Sequence, residues 1–432
     1  GYRPLEAELA SLVGHLEEDA EHFVEARAHF EQAVLAGDAG RDDPLVTRAL
    51  ISLAELLDHD LARTAEADTV LARIRAQLER LDHPKELETD ALVTSGRNHL
   101  DAGRLDAGAA DLARAIASIE QRRGAKDLEL VEPLRVAASL EMQRDHTAVA
   151  HGYLDRALAR QRGVVGEQHP DYAYTIEELA GAEYQEGHYD RAVALYRQAL
   201  AVLEPTYGTD GVTVAGIQTN LANVLEWQGD SEGALAMFRR AAEISAKGRG
   251  PDHPRTLTAR YGIGATLEDL GRHDEALAEL TDVLARQQRV LGVHQQTATT
   301  LHMIGFVELW LHRYQPARDH ARAALAMMKQ TLGASYGGSD ELATIGSAEL
   351  GLGNPHAALA AFTQAEAGLE GEVDPTVKAY LDARYGQALI EANTDRAKGL
   401  ALYRAAYKIL AADERSAENR AQLDAWAKRH GI

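Results

Sequence analysis

The chain has 432 residues, only 5% of them aromatic, and abundant alanine, leucine, glutamate and arginine, a helix-forming vocabulary poor in what sheets favour. Its formal charge of 45 minus 67, or −22, opposes nucleic acid and anionic membrane and favours a basic partner. The absence of cysteine excludes disulfides, thiolate zinc sites and cysteine nucleophiles, and no apolar run reaches the roughly eighteen residues of a membrane-spanning helix.

The chain opens Gly1-Tyr2-Arg3-Pro4 with no initiator methionine, as a piece of a longer protein would. No signal peptide is recognisable there, so a cytoplasmic location is expected. Leu5 to Leu12 reads as the first helix of a repeating hairpin. From there a comb of small residues runs through Gly14, Ala54, Gly96, Ala138, Ala180, Ala222, Gly264, Gly305, Gly346 and Gly386, in steps of 40, 42, 42, 42, 42, 42, 41, 41 and 40. Sixteen residues after each tooth stand Phe30, Val70, Leu112, Leu154, Tyr196, Phe238, Leu280, Ala321, Phe362 and Leu402. Nineteen after stand Ala33, Arg73, Ala115, Ala157, Ala199, Ala241, Val283, Ala324, Ala365 and Ala405, a column that only Arg73 breaks.

Such periodicity predicts helical hairpins (A then B) in which paired small residues let the two helices approach, while the large residue fills space beneath the next repeat. Gly103, Gly187, Gly229, Gly271 and Gly353 mark the turn within the hairpin, where a left-handed helix end favours glycine. Repeats open at Pro84, Pro170, Pro254 and Pro375, a residue suited to a first helical turn, with Asp or His before it as a cap. Helix A of the fifth repeat is expected at Asp171 to Gln185 and helix B at Tyr189 to Leu203. Repeats two and ten are degenerate. The prediction is an all-α, right-handed α-solenoid of about ten hairpins over 1–415, followed by a capping helix in 416–432 that carries Trp426.

Small residue, turn glycine, alanine, aromatic, alanine is a pattern that resembles the tetratricopeptide repeat. The linkers Gly166-Glu-Gln-His-Pro170 and Gly250-Pro-Asp-His-Pro254, with a weaker Leu291-Gly-Val-His294, resemble the kinesin-light-chain variety. The array is also similar to the carboxy-terminal arrays of bacterial Ser/Thr protein kinases and of regulatory STAND-type ATPases. The resemblance implies a scaffold that binds a protein or peptide along a concave groove lined by A helices. It equally admits a regulatory or substrate-docking region of a larger protein, or a self-association module.

In that family the groove takes positions three before and one, four and five after the small residue. Here these are Arg97, Arg135, Glu177, Tyr184, Asn223, Glu226, Trp227, Tyr261, Glu268, Asp269, His302, Phe306 and Trp310. Aromatic rings would anchor an extended peptide, the asparagine would pair with its backbone, and the carboxylates would select basic side chains.

No catalytic constellation is present, so no enzyme activity and no cofactor are expected. There is no phosphate loop, no His-Glu-x-x-His and no Gly-x-Ser-x-Gly. His312-Arg313-Tyr314 lacks the aspartate of a kinase catalytic loop and falls in a hairpin turn. His15, Glu18 and His22 suggest a metal, but the turn carries His22 away from His15, and no metal site is expected. His188 and His273, after turn glycines, are expected to be wet.

Overall fold

A computed structural model describes residues 2–369, 374–413 and 417–432. It contains ten successive helix pairs and one final helix. The pairs are α1 (Arg3–Asp19) and α2 (Phe23–Gly40), α3 (Asp43–Glu55) and α4 (Thr64–Arg80), α5 (Lys85–Asp101) and α6 (Leu105–Arg123), α7 (Val131–Gln143) and α8 (Thr147–Val164), and α9 (Pro170–Gln185) and α10 (Tyr189–Tyr207). There follow α11 (Val212–Trp227) and α12 (Ser231–Gly248), α13 (Pro254–Asp269) and α14 (His273–Val290), α15 (Gln295–Trp310) and α16 (Tyr314–Leu332), α17 (Ser339–Gly351) and α18 (Pro355–Ala367), and α19 (Pro375–Glu391) and α20 (Arg396–Ala412). The last helix is α21 (Ala417–His430), whose Leu423 and Trp426 pack on Tyr403, Ala406 and Leu410 of α20. Val373 of the tenth repeat's opening and the expected boundary at 415 and 416 lie outside the described residues. No strand occurs among the described residues, and no helix of theirs is long and apolar enough to cross a membrane. Contacts concentrate in two compact units, Gly1–Gly262 and Ile263–Ile432, a division inside α13 that the repeat spacing does not mark.

Every tooth of the comb lies on the first helix of a pair. The large residue covers the tooth of its own repeat and also meets the next: a Cβ on Gly262 would stand 2.5 Å from the Phe238 ring, and Phe362 lies 6.4 Å from Tyr385. A Cβ on Gly14 would stand 2.7 Å from the Phe30 ring, and one on Gly96 2.7 Å from Leu112. That ring or branched side chain occupies the volume that the missing side chain leaves, which is why the column is large where the comb is small.

The apparent defects of repeats two and ten are shifts of register. In the other eight repeats helix B begins nine residues after the tooth; in repeats two and ten it begins ten after, at Thr64 and Arg396. The extra residue of repeat two sits in a π-helical turn, Leu56–Asp60, and that of repeat ten in the turn before Arg396. Every later side chain moves by one place. Leu71 and Ile74 (2% and 1% exposed) take the core positions expected for Val70 and Arg73. Arg73 reaches out to pair with Asp38 instead. Likewise Tyr403 and Ala406 are buried, while Ala405 is exposed.

The turn residue adopts positive φ in all ten pairs. It is glycine in the five expected repeats, and Glu21, Ala62, Asp145, His312 and Asn393 in the others. Four turns carry a clasp that pattern reading overlooks: a Glu three after the tooth is bonded to a side chain eight after it. His22–Glu17, His146–Glu141 and His188–Glu183 close at 2.8 Å, and Asn354 donates to Glu349 at 2.9 Å. His188 is thus solvent-facing but tied down. His273 is not simply wet either, because its ring stacks on Trp310 at 5.5 Å.

The linker histidines act as caps, His169 and His253 accepting from the backbone N–H two residues on at 3.2 and 3.1 Å. Helix α10 runs four residues past the expected Leu203, through Pro205, to Tyr207, whose hydroxyl is bonded to that of Tyr174 at 2.9 Å.

Candidate partner-binding groove

In the amino-terminal unit, the A helices of the first four repeats present one face to a concave cavity of about 830 Å³. Its rows lie six, three and two residues before the tooth and one after. On α1 these are Glu8, Ser11, Leu12 and His15, and on α3 Arg48, Ile51, Ser52 and Glu55. Asp90 and Val93 of α5 and Glu132 and Arg135 of α7 continue them. Helical periodicity puts these positions on successive turns of a single stripe.

The lining is acidic. Six carboxylates (Glu8, Glu55, Asp90, Glu129, Glu132 and Asp171) face two arginines and one histidine. Some are already neutralised: Arg135 bonds Glu178 at 2.6 Å and Glu132 at 3.3 Å, and Arg122 bonds Glu129 at 2.6 Å. Burial pushes the Glu55 and Asp90 carboxyls above their ordinary range, and the Glu129 charge adds to the effect at Asp90. Carboxylates held short of water gain more than solvated ones from an arriving cation.

A second set of contacts joins the first two repeats of this unit to the sixth. The Glu21 carboxylate accepts from the Val212 and Thr213 N–H groups at 2.7 and 2.8 Å, capping α11, whose own N-cap residue Gly211 has no side chain to do so. Arg249, its side chain 3% exposed, donates to Asp60 Oδ1 at 2.9 Å and lies 4.5 Å over the Phe23 ring. His253 Nε2 donates to the Asp60 carbonyl at 3.0 Å while its Nδ1 accepts from Arg255 N–H at 3.1 Å, so the ring is held neutral.

Burial first, with the Arg249 and Arg255 charges, pushes the His253 pKa down from 6.5 to about 3. Because the folded value lies below the unfolded one, this stability is fully present above pH 6.5 and is lost as pH falls towards 3. The expected slope is about 1.4 kcal/mol per pH unit in that window. Unfolding free energies measured along a pH series check it. His253→Asn keeps a capping acceptor and an N–H donor without titrating there, so an unchanged slope in that variant would sink the assignment.

The thirteen residues expected in the groove are divided between the two units: Arg97, Arg135, Glu177, Tyr184, Asn223, Glu226, Trp227 and Tyr261 fall in one and Glu268, Asp269, His302, Phe306 and Trp310 in the other. Only Arg135 lines the 830 Å³ cavity. Arg97 is paired with Glu132, Glu177 accepts from Asn220 at 3.0 Å, and His302 is bonded to Thr344 at 3.1 Å. Asn223, Glu226, Tyr261 and Glu268 are half-buried and Asp269 is exposed. The positions four and five after the tooth belong to the last turn of helix A, where Trp227 and Trp310 meet the preceding repeat's helix B and Tyr184 lies 5.9 Å from Tyr189 of its own repeat. Trp227, half exposed, stacks on Tyr189 at 6.0 Å, as Trp310 stacks on His273. Phe306 meets Trp310 edge-on at 6.3 Å. The rows six and two before the tooth are those that the sequence reading missed. They continue the same helical stripe by one more turn, which is the signal that could have found them.

His15 and His22 do not converge on a metal: His15 faces Glu18 at 3.3 Å and His22 faces Glu17. Among the described residues, the one group whose ligand atoms lie within 4.8 Å is His151, Glu183 and Glu186, and there Glu183 already holds His188 and, at 3.0 Å, Arg191.

Residues 150–204, 213–289 and 263–330 match the tetratricopeptide-repeat family. Among curated proteins, the clustered mitochondria protein homolog of Coccidioides immitis is 26% identical over 141 residues, 33% of this chain and 11% of that protein. That of Aspergillus fumigatus is 25% identical over 193 residues, 44% of this chain and 14% of that protein. The chain thus matches only 11–14% of the length of such relatives. Among solved structures, a Rap protein complexed with Competence and Sporulation Factor superposes with a TM-score of 0.55 at 17% identity, over 80% of this chain and 90% of that one. The apo form of RapI gives 0.55 at 13%, over 84% and 97%. A putative kinesin light chain from Podosopora anserina gives 0.39 at 21%, over 48% and 98%. At these identities the likeness is one of fold.

Proposed function

We propose that this all-helical chain, which matches the tetratricopeptide-repeat family between residues 150 and 330, is a protein-interaction scaffold, acting in the cytoplasm, that holds an extended basic segment of a partner protein in the groove of its amino-terminal unit. The observation that carries this is the surplus of carboxylates, two of them poorly solvated, on a concave surface of about 830 Å³. The array holds its partner and carries out no chemistry on it. Support for a bound partner comes from the Rap protein of the same fold, which was solved as a complex with Competence and Sporulation Factor. A second reading, a docking or regulatory region of a larger protein, is favoured by the small fraction of its curated relatives that the chain matches.

The experiment is affinity capture from lysate by the chain and by a Glu8→Lys/Asp90→Lys variant, run at low and high salt. A partner retained by the first, lost by the second and released by salt is the expected result. Equal capture by both proteins would overturn the reading.

A further inference from the structure

The carboxy-terminal unit has a cavity of its own, about 310 Å³, walled by α15, α17, α19 and α21. Its size is at the lower end of small-molecule sites and too small for a folded partner. Four buried polar atoms on its wall, each able to donate a hydrogen bond, find no partner in the protein: Trp310 Nε1, Ser347 Oγ, Arg384 Nε and Gln387 Nε2. Gln387 is 1% exposed and Ser347 8%, so bulk water does not satisfy them, and an unmet buried donor costs roughly 1–3 kcal/mol. The Gln387 amide is oriented by Arg384 Nη1, which donates to its oxygen at 3.2 Å and leaves the NH₂ group to the cavity. Arg384 is itself fixed by a bond to Gln422 and by stacking 5.2 Å over the Tyr380 ring.

The charge has the matching sign. Although the chain carries −22, this wall bears Arg384 and Arg429 against the single carboxylate Glu391. Glu391 is occupied by the Trp426 indole N–H at 2.6 Å. Trp310, Tyr380 and Trp426 supply flat apolar surface beside the donors.

We propose that this cavity binds a small aromatic carboxylic acid, its carboxylate accepting from Arg384, Ser347 and Gln387 and its ring lying against the tryptophans. Donors without acceptors call for an anion, and a planar carboxylate matches amide and guanidinium donors better than a sphere of charge does. The site is separate from the amino-terminal groove and does not depend on what that groove binds.

The test uses the full chain, calorimetry and tryptophan emission, two of the three tryptophans being on the wall. Probes are benzoate and phenylacetate, their uncharged amides, and inorganic phosphate. Expected is saturable binding of the acids, weaker by about tenfold or more for the amides, and weaker by about tenfold or more in Ser347→Ala/Gln387→Leu with unchanged melting. Should that double variant unfold, Arg429→Gln is expected to weaken the acids several-fold without affecting stability. Three results would overturn the proposal: no saturable binding of either acid, acids and amides binding alike, or phosphate binding as tightly as the acids.

Discussion

Replacing Arg249 by methionine is expected to destabilise the amino-terminal unit by about 3–5 kcal/mol, because the change leaves the Asp60 carboxylate (12% exposed) buried without its cation. The loss of the guanidinium from the Phe23 ring adds to it. Adding Asp60→Asn to the same protein should recover much of the loss, since most of the cost is the stranded charge. The contact is also expected to help hold repeats one and two against repeat six, beside the Glu21 and His253 bonds. Cysteine is absent from the chain, so labels on Glu25→Cys and Thr209→Cys report that distance without background. The distance should lengthen in Arg249→Met and shorten again in the double variant. A distance and an unfolding curve unchanged by Arg249→Met would mean that the clasp is incidental.

The second large effect is expected at Gly386. A Cβ there would stand 2.6 Å from the Gly399 carbonyl oxygen, and one on Gly399 would stand 2.8 Å from that of Gly386. Backbone touches backbone at this crossing, so no side-chain rotation can relieve a methyl group. Gly386→Ala should cost about 1–3 kcal/mol. Stability in a solenoid is close to a sum over neighbouring repeats, so the loss should appear in the hydrogen exchange of α19, α20 and α21 and fade beyond them. Gly152→Ala is the matched control: nothing lies within 4 Å of its Cβ position in α8, and it should stabilise by roughly 0.5–1 kcal/mol. Equal and small changes at both sites would contradict the packing account.

The comb of small residues was readable because close helix approach tolerates few side chains, and each repeat meets only its neighbours. Gly14 beneath Phe30 and Gly96 beneath Leu112 are such local constraints. Arg73 looked like a fault in its column because fixed spacing cannot register a π turn, which inserts one residue with no marker in composition. The glycines opening the repeat linkers form a further column, Gly124, Gly166, Gly208, Gly250, Gly292 and Gly333, all at positive φ. Half of it was hidden because only some members precede a histidine. The clasp of Glu21, Asp60, Arg249 and His253 joins residues 189 to 193 positions apart, and nothing in the local sequence of either partner announces the other. The groove was half legible: the rows three before and one after the tooth reach it. Of those four and five after, Tyr184, Trp227 and Trp310 are drawn into packing against helix B.

We propose that the acidic concave face of the amino-terminal unit selects a basic segment of its partner. Selection of a random peptide library on the full chain, with Glu8→Lys/Asp90→Lys selected in parallel, tests it most directly. Peptides rich in lysine and arginine are expected from the unaltered chain and should be lost from the variant. Peptides without a basic bias, or the same peptides recovered from both proteins, would contradict it.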